Sequence, residues 1–310
     1  DGVHIMKVLI TGANGQLGRA LNKNKIELDK HQDLEIFNTI KSDLDLGDEL
    51  SCTKAIEKYN PDWVINCGAF TAVDKAEIES KKAYKVNGYG PYFLAKKLQQ
   101  TGGKLIHIST DFVFDGKSNK AYKVNDPINP INTYGKSKAM GEQFLTKKEN
   151  NFKNIFIIRS SWIIDNIGEN FFLKVLKLLS KEENLKVVND QIGCITNANN
   201  LSKLCWKLIS IHQKISEMPS IIHFCDSGIC TWYDVAYTIG DLAFEKKIIS
   251  KKPQIIPVDS NHFNFPAKRP NFSLLNCEHT YNFFNYHPPH WRETINTLLD
   301  SLSKDFIKSL

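Results

Sequence analysis

No apolar run in this chain approaches the ~20 residues that a helix needs to cross a bilayer, and no basic stretch followed by an apolar one marks a secretory leader. Asp1 to Ile5 precede Met6 and read as an upstream extension. No Cys-x2-Cys pair occurs. The seven cysteines, Cys52, Cys67, Cys194, Cys205, Cys225, Cys230 and Cys277, are odd in number, which argues against a disulfide framework and a zinc ribbon and for reduced thiols in the cytoplasm. His279, His287 and His290 with Cys277 fit no standard zinc spacing, and two of the histidines flank Pro288-Pro289, so no metal is expected. No block of five or six like charges accompanies the formal charge of +6, so a nucleic-acid platform is not expected. Scattered lysines suit an anionic small molecule at least as well. Internal repeats, low-complexity segments and long linkers are also missing.

What the chain does have is strand-helix alternation. Its 310 residues suffice for one large domain or two lobes sharing a core. Lys7 to Thr11 reads as a buried strand, followed at once by Gly12-Ala13-Asn14-Gly15-Gln16-Leu17-Gly18 and helix-compatible Arg19-Ala20-Leu21. The spacing is G-x-x-G-x-x-G. The first glycine permits a tight turn, the second lets backbone approach a pyrophosphate, and the third lets helix pack on strand. Phosphates would then meet the helix N-terminus, where free N–H groups and the dipole favour negative charge. A second strand, Leu34 to Phe37, ends in Asn38-Thr39 without an acidic residue to bind a ribose 2′-hydroxyl, and Arg19 and Lys41 favour a 2′-phosphate. The cofactor expected is NADPH, with NADH as the alternative. Asp45 and Leu46 are candidates for the adenine pocket.

Trp63 to Cys67 reads as the next strand, leading into Gly68-Ala69-Phe70-Thr71, small residues that allow close approach to a cofactor. Ala83 to Leu98 reads as one helix carrying Asn87. Lys104 to Ser109 is a strand whose carboxyl end brings Thr110 and Asp111 to where ligands gather in open α/β sheets. Asn154 to Arg159 is a further strand. The implied fold is a doubly wound parallel sheet, Rossmann-like, over residues 6–160, joined by a returning segment near 186–215. A smaller mixed α/β substrate lobe fills 161–310, with helices at Phe171 to Leu179 and from Trp232-Tyr233, a loop at Asp190 to Gly193, and Leu201, Leu204, Cys205 and Leu208 as core.

After a loop with Pro127 and Pro130 comes Tyr134-Gly135-Lys136-Ser137-Lys138. On a helix Tyr134 and Lys138 lie one turn apart on one face. A phenol titrates near 10, and a fixed ammonium beside it would draw that value down toward working range. Arg269, in Lys268-Arg269-Pro270, has the fork to grip a phosphate.

Together, Gly12 to Gly18, Asn87, Thr110, Tyr134 and Lys138 resemble the cofactor turn and the Asn-Ser/Thr-Tyr-Lys machinery of the extended short-chain dehydrogenase/reductase family. The chain is most similar to that family's dTDP-4-dehydrorhamnose reductase branch, through Thr11 to Gly18, Thr71 to Glu77, Ser109 to Gly116, Tyr134 to Glu142, Arg159 to Trp162, Asp190 to Gly193, Trp232 to Asp234 and Ala267 to Pro270. Three residues depart from its usual pattern: Phe112 for tyrosine, Gly88 for alanine and Ile195 for proline. The resemblance implies NAD(P)H-dependent reduction of the C4 ketone of a nucleotide-linked 6-deoxysugar. In it Tyr134 is the proton donor, and Lys138 lowers the tyrosine pKa and holds the cofactor ribose. Thr110 bonds the carbonyl oxygen and Asn87 supports Lys138 through a buried water. Gly12, Gly15, Gln16, Leu17, Gly18, Asn38, Asp45, Leu46, Ala69, Phe70 and Thr71 are the implied cofactor contacts, and Thr110, Asp111, Trp162 and Arg269 the implied sugar-nucleotide contacts. A homodimer is compatible with this reading. Two rivals share the resemblance. A 4,6-dehydratase or 4-epimerase is one, although a dehydratase would carry Glu where Phe112 stands. A regulatory subunit like that of methionine adenosyltransferase is the other.

Overall fold

The apolar runs pair side by side, all in parallel: β1 (His4–Thr11), β2 (Gln32–Asn38), β3 (Trp63–Asn66), β4 (Lys104–Thr110), β5 (Ile155–Ser160) and β6 (Ile221–Phe224). The structure, a computed structural model, describes residues 4–25, 32–181 and 184–310, so Asp1 to Val3 lie outside the described residues. In space the order is β6-β5-β4-β3-β1-β2. The chain leaves β1 for β2 on one side and continues through β3 on the other, so the glycine turn after β1 sits where the strand order reverses.

Both faces of the sheet are covered, which is why β3 and β5 are buried along their whole length. On one face Val8, Ile10, Ile65, Ile106 and Ile158 pack with residues of α1 (Gln16–Lys23), Leu17 and Leu21, and of a later helix, Leu201, Leu204 and Trp206. On the other, Leu9, Val64, Leu105 and Ile157 meet Ile56 of α2 (Glu49–Tyr59), Leu94 and Leu98 of α3 (Gly90–Thr101) and Leu145 of α4 (Thr133–Thr146).

A third apolar cluster draws mostly on residues after 160 and also takes in Val113, Phe114, Tyr122 and Ala139. Phe172 and Leu176 of α5 (Phe171–Leu179) pack there with residues of helices further along the chain. α6 (Ala198–His212), with β6, is the piece that returns to the sheet. Ile239 of α7 (Trp232–Glu245) and Ile295 and Leu298 of α8 (Trp291–Asp300) complete the third cluster. Ile195 is wholly buried in that core. β6 lies beyond the 186–215 stretch expected from sequence. Within that stretch, Asn184–Val188 pairs with Gln254–Val258 in the second lobe instead. Among the described residues no helix is long and apolar enough to cross a membrane.

The single helix expected over Ala83 to Leu98 is broken. A short helix, Ser80–Ala83, passes into a π-helical turn, Tyr84–Tyr89, before α3 begins with Pro91 in its first turn. Proline has no N–H to give to the turn behind it, and the extra residue of a π turn is a common device at functional sites. Asn87 sits in that turn. Asp190 to Gly193 is a loop only to Gln191, because Ile192–Gly193 pairs antiparallel with Cys230–Thr231.

Candidate active site

The glycine turn is a cradle shaped by what cannot be there. Gly12 has φ +56°, and a Cβ on it would lie 2.7 Å from the Gly68 Cα; a Cβ on Gly18 would lie 2.5 Å from the Ala13 Cα. Gly15 caps α1 in an extended conformation with no side-chain cap, and the first turn carries no acidic residue. The first N–H groups of α1, those of Gln16 and Leu17 among them, are thus available to an anion. The Gln16 Oε1 is buried without a partner among the described residues. A dinucleotide pyrophosphate fits this cradle. Arg19 crosses the turn, donating to the Asn14 carbonyl and approaching the Ile167 carbonyl at 3.5 Å. Asn38, exposed at the tip of β2, exchanges amide hydrogen bonds with Asn22 of α1 at 2.7 and 3.0 Å. Asp45 accepts from the Gly47 N–H, while Leu46 is core, its side chain lying where a Gly68 Cβ would go. Ala69 and Phe70 are half-buried and Thr71 is exposed.

Behind the cradle a row of polar groups crosses three strands. Thr11 donates to Asn66 Oδ1 at 2.6 Å, and the Asn66 amide faces His107 Nδ1 at 3.0 Å. The pairing leaves the proton on His107 Nε2, which is buried and has no partner among the described residues. Burial first, and the Lys138 charge second, hold His107 well below the usual histidine range, so it is neutral. Sequence reasoning missed this row, since only strand adjacency brings the three residues together.

Thr110 ends β4 and Tyr134 sits in the first turn of α4, whose N-cap Asn132 accepts from the Gly135 N–H at 2.7 Å. Desolvation pushes the Tyr134 phenol up to about 12; the nearby Thr110 hydroxyl draws it down and Asp111 adds to the rise. The lowering expected from Lys138 is not what this arrangement gives. The Lys138 ammonium is buried and donates to the Ile108 carbonyl at 2.6 Å, and burial brings it down to about 8. Tyr134 here is an acid that keeps its proton. Asp111 is buried too, accepting from Ser273 at 2.5 Å and from Thr110 at 3.2 Å, and desolvation raises its carboxyl to about 7.

Asn87 makes three direct hydrogen bonds. Its Oδ1 accepts from the Phe70 N–H at 2.8 Å, and its Nδ2 donates to the Phe70 carbonyl at 2.9 Å and to Ser137 Oγ at 3.0 Å. Both amide hydrogens are committed, so it clamps the Gly68–Thr71 loop to α4 directly. Ser137, unnoticed in the sequence, passes the link on by donating to the Tyr134 carbonyl at 2.7 Å.

On the second-lobe side Trp162, half-buried, has φ +48° and stacks on Trp232 with ring centroids 3.9 Å apart. Arg269 is held away from solvent anions by Asp74, with both terminal nitrogens 2.9 Å from the two carboxylate oxygens. That guanidinium first, through its hydrogen bond, keeps the Asp74 carboxyl below the usual range. Metal-ligand clusters of three or more His, Cys, Asp or Glu are absent among the described residues.

Residues 6–304 match the RmlD substrate binding domain. The spore coat polysaccharide biosynthesis protein SpsK of Bacillus subtilis (strain 168) is 36% identical over 299 residues, 96% of this chain and 98% of that protein. A crystal structure of a dTDP-4-dehydrorhamnose reductase from Clostridium acetobutylicum ATCC 824 superposes with a TM-score of 0.85 at 34% identity, covering 95% of this chain and 99% of that one. The dTDP-4-dehydrorhamnose reductase of Bacillus anthracis str. Ames, in complex with NADP, gives 0.82 at 32% identity, with the same coverage of 95% and 99%.

Proposed function

The chain belongs to the RmlD substrate binding domain family, and from that premise we propose that it reduces the C4 ketone of dTDP-4-dehydro-L-rhamnose to give dTDP-L-rhamnose, as a cytoplasmic, NAD(P)H-dependent oxidoreductase. Full-length relatives at this identity carry the dTDP-4-dehydrorhamnose reductase name, and one is known with NADP. The observation that carries the reading is the convergence of the Thr110 hydroxyl and the Tyr134 phenol at the carboxyl end of β4. The uncapped glycine turn lies two strands away, and Thr11, Asn66 and His107 bridge the distance.

Bound reduced nicotinamide supplies the hydride. Everything else falls to the chain. Tyr134, protonated throughout the physiological range, donates from its Oη to the ketone oxygen as charge develops there. Thr110 becomes a second donor to the same oxygen when its hydroxyl turns from Asp111 Oδ1. Lys138, seated on the Ile108 carbonyl, would meet the cofactor ribose. Asn87 fixes the loop against which the reacting ring would lie, so that orientation is built in before binding. Trp162 offers an aromatic face to the sugar, and Arg269 a fork that matches a diphosphate.

The test is direct. The protein is mixed with dTDP-4-dehydro-L-rhamnose and NADPH, then NADH, and loss of reduced-cofactor absorbance is followed with chromatography of the product. Turnover with either cofactor to dTDP-L-rhamnose is expected; absence of turnover with both overturns the reading.

A further inference from the structure

One buried charged cluster lies next to the catalytic helix without entering the mechanism above. Glu142 and Arg159 are both almost fully buried, at 2% and 3% exposure. Arg159 Nη2 lies 2.7 Å and Nε 2.9 Å from Glu142 Oε1, and Ser109 donates to Glu142 Oε2 at 2.6 Å. The remaining Arg159 nitrogen reaches the Val124 carbonyl at 3.0 Å and His223 Nε2 at 3.2 Å.

The placement is specific. Lys138 and Glu142 are four residues apart, one turn along the buried face of α4. Their partners on β4 are consecutive: the Ile108 carbonyl takes the Lys138 ammonium, and the Ser109 hydroxyl takes the Glu142 carboxylate. The next residue is Thr110. Two neighbouring β4 residues therefore grip two neighbouring turns of the helix that carries Tyr134, and the strand they sit on carries the second donor.

A buried ammonium needs such a neighbour. Among the described residues the Lys138 side chain has one hydrogen-bond acceptor, the Ile108 carbonyl, and burial penalises its charged form. The groups that face it are Glu142 on α4, Cys67 at the end of β3, and His107 on β4. His107 is neutral, and the Cys67 thiol is pushed well up by burial and so is neutral as well. Glu142 is thus the one full negative charge among the groups that face Lys138. Its carboxylate is held from behind by Arg159 and Ser109.

We propose that Glu142 is a positioning residue, whose buried carboxylate, pinned by Ser109 and Arg159, keeps the Lys138 ammonium charged and seated on the Ile108 carbonyl. The role rests on the reductase reading only for its consequence, which is that the active site stays cationic beside Tyr134 up to mildly alkaline pH.

The experiment reads Lys138 itself in the full-length protein without substrate. Lysine side chains are labelled, the Lys138 signal is assigned by its loss in Lys138→Met, and its titration is followed by NMR in the wild type and in Glu142→Gln. The expected result is a downward shift of about one pH unit or more in Glu142→Gln. Because that variant leaves Arg159 buried and unpaired, the double variant Glu142→Gln/Arg159→Met is measured in parallel; it removes both charges and is expected to show a smaller shift in the same direction. An unmoved Lys138 titration in either folded variant overturns the proposal. Turnover by the wild type is scored separately. If the wild type fails to reduce the keto sugar while the Lys138 titration shifts as expected, the reductase reading falls and the positioning role stands.

Discussion

Arg269 and Asp74, 195 residues apart, form a two-pronged ion pair, Nη1 to Oδ1 and Nη2 to Oδ2, both at 2.9 Å. The Ala267 N–H adds a third bond to the carboxylate, and the guanidinium lies 4.8 Å from the Phe265 ring centroid. The contact ties the helix Val73–Ile78 of the first lobe to the 265–270 loop of the second. The same fork that holds a carboxylate would hold a diphosphate, so the two anions compete for one guanidinium.

From that competition follows a pair of opposite effects. Arg269→Ala is expected to raise the KM for the sugar nucleotide about tenfold, equivalent to about 1.4 kcal/mol, with kcat little changed. Asp74→Asn, which leaves the fork in place and removes its rival, is expected to lower KM. Steady-state kinetics on the two variants decide the point, and a rise of KM in both would mean that the pair is purely structural.

Tyr134→Phe deletes one oxygen from a half-buried ring that packs edge-on against Phe112. The ring contact survives, so folding and NADPH binding are expected to be retained. The proton donor is lost, and kcat is expected to fall about a hundred- to ten-thousand-fold. Fluorescence titration with NADPH beside single-turnover rates separates the two; an unchanged rate removes Tyr134 from the chemistry.

The pH dependence has a definite sign. Lys138 in the folded protein is drawn down to about 8 by burial, below its unfolded value of about 10.4. Activity that needs the ammonium is expected to fall above pH 8, while Tyr134, at about 12, adds no limb there; Asp111, raised to about 7 beside Thr110, adds its own limb near neutrality. Stability runs the other way. Between about 8 and 10.4 the unfolded chain holds more protons at this site than the folded one, so the lysine's contribution to stability rises with pH, by up to about 3 kcal/mol. Buried thiols such as Cys52 and Cys205, raised to about 12, oppose it above pH 9. The measurement is therefore the difference in urea stability between wild type and Lys138→Met across that window.

What could be read from the residues alone follows from range. Ile155–Ile158 and Trp63–Ile65 announce buried parallel strands because an unbroken apolar run is a local signal. Tyr134 and Lys138 are legible because helical spacing alone puts them on one face. β6 is four residues long and returns about 60 residues after β5, so nothing local marks it as part of the same sheet. The π turn around Asn87 depends on Pro91 and on Gly90 fitting against Leu46, which a 3.6-residue period does not encode. Glu142 meets Arg159, and Asp74 meets Arg269, only once strand order and lobe closure are known. At Gly88, one of the departures from the family pattern, a Cβ would lie 2.9 Å from Met140 Sδ, a flexible side chain able to shift.

Arg159→Leu leaves the Glu142 carboxylate buried with only Ser109 for a partner. Breaking one side of a buried pair costs about 3–5 kcal/mol, and a loss of that order is expected in urea unfolding with an unchanged m-value. Replacing both, Glu142→Met with Arg159→Leu, removes the unpaired charge and is expected to recover most of the loss. A double variant as unstable as the single one would show that the cluster acts through packing and not through charge.

Trp162 is the bulky residue of this site that adopts a left-handed backbone, φ +48°, a conformation that costs about 1–3 kcal/mol and persists only where its surroundings over-determine it. The surroundings are an indole stack and a missing side chain. Trp232, itself 4.4 Å from Phe171, lies 15° from coplanar with Trp162, and a Cβ on Gly193 would lie 3.0 Å from the Trp162 ring. Trp232→Leu keeps apolar volume and removes the stacking face, so Trp162 is expected to lose its fixed orientation. Two indoles this close couple optically, and the coupled signal in circular dichroism is expected to vanish. The KM for the sugar nucleotide is expected to rise while kcat for saturating substrate holds, because the wall is lost and the proton donor is not. Gly193→Ala crowds the edge of the same ring at Cζ2 and is expected to raise KM with the optical coupling perturbed but not abolished. If Trp232→Leu removes the coupling and leaves KM untouched, Trp162 does not contact the sugar, and its strained backbone serves the second-lobe core alone.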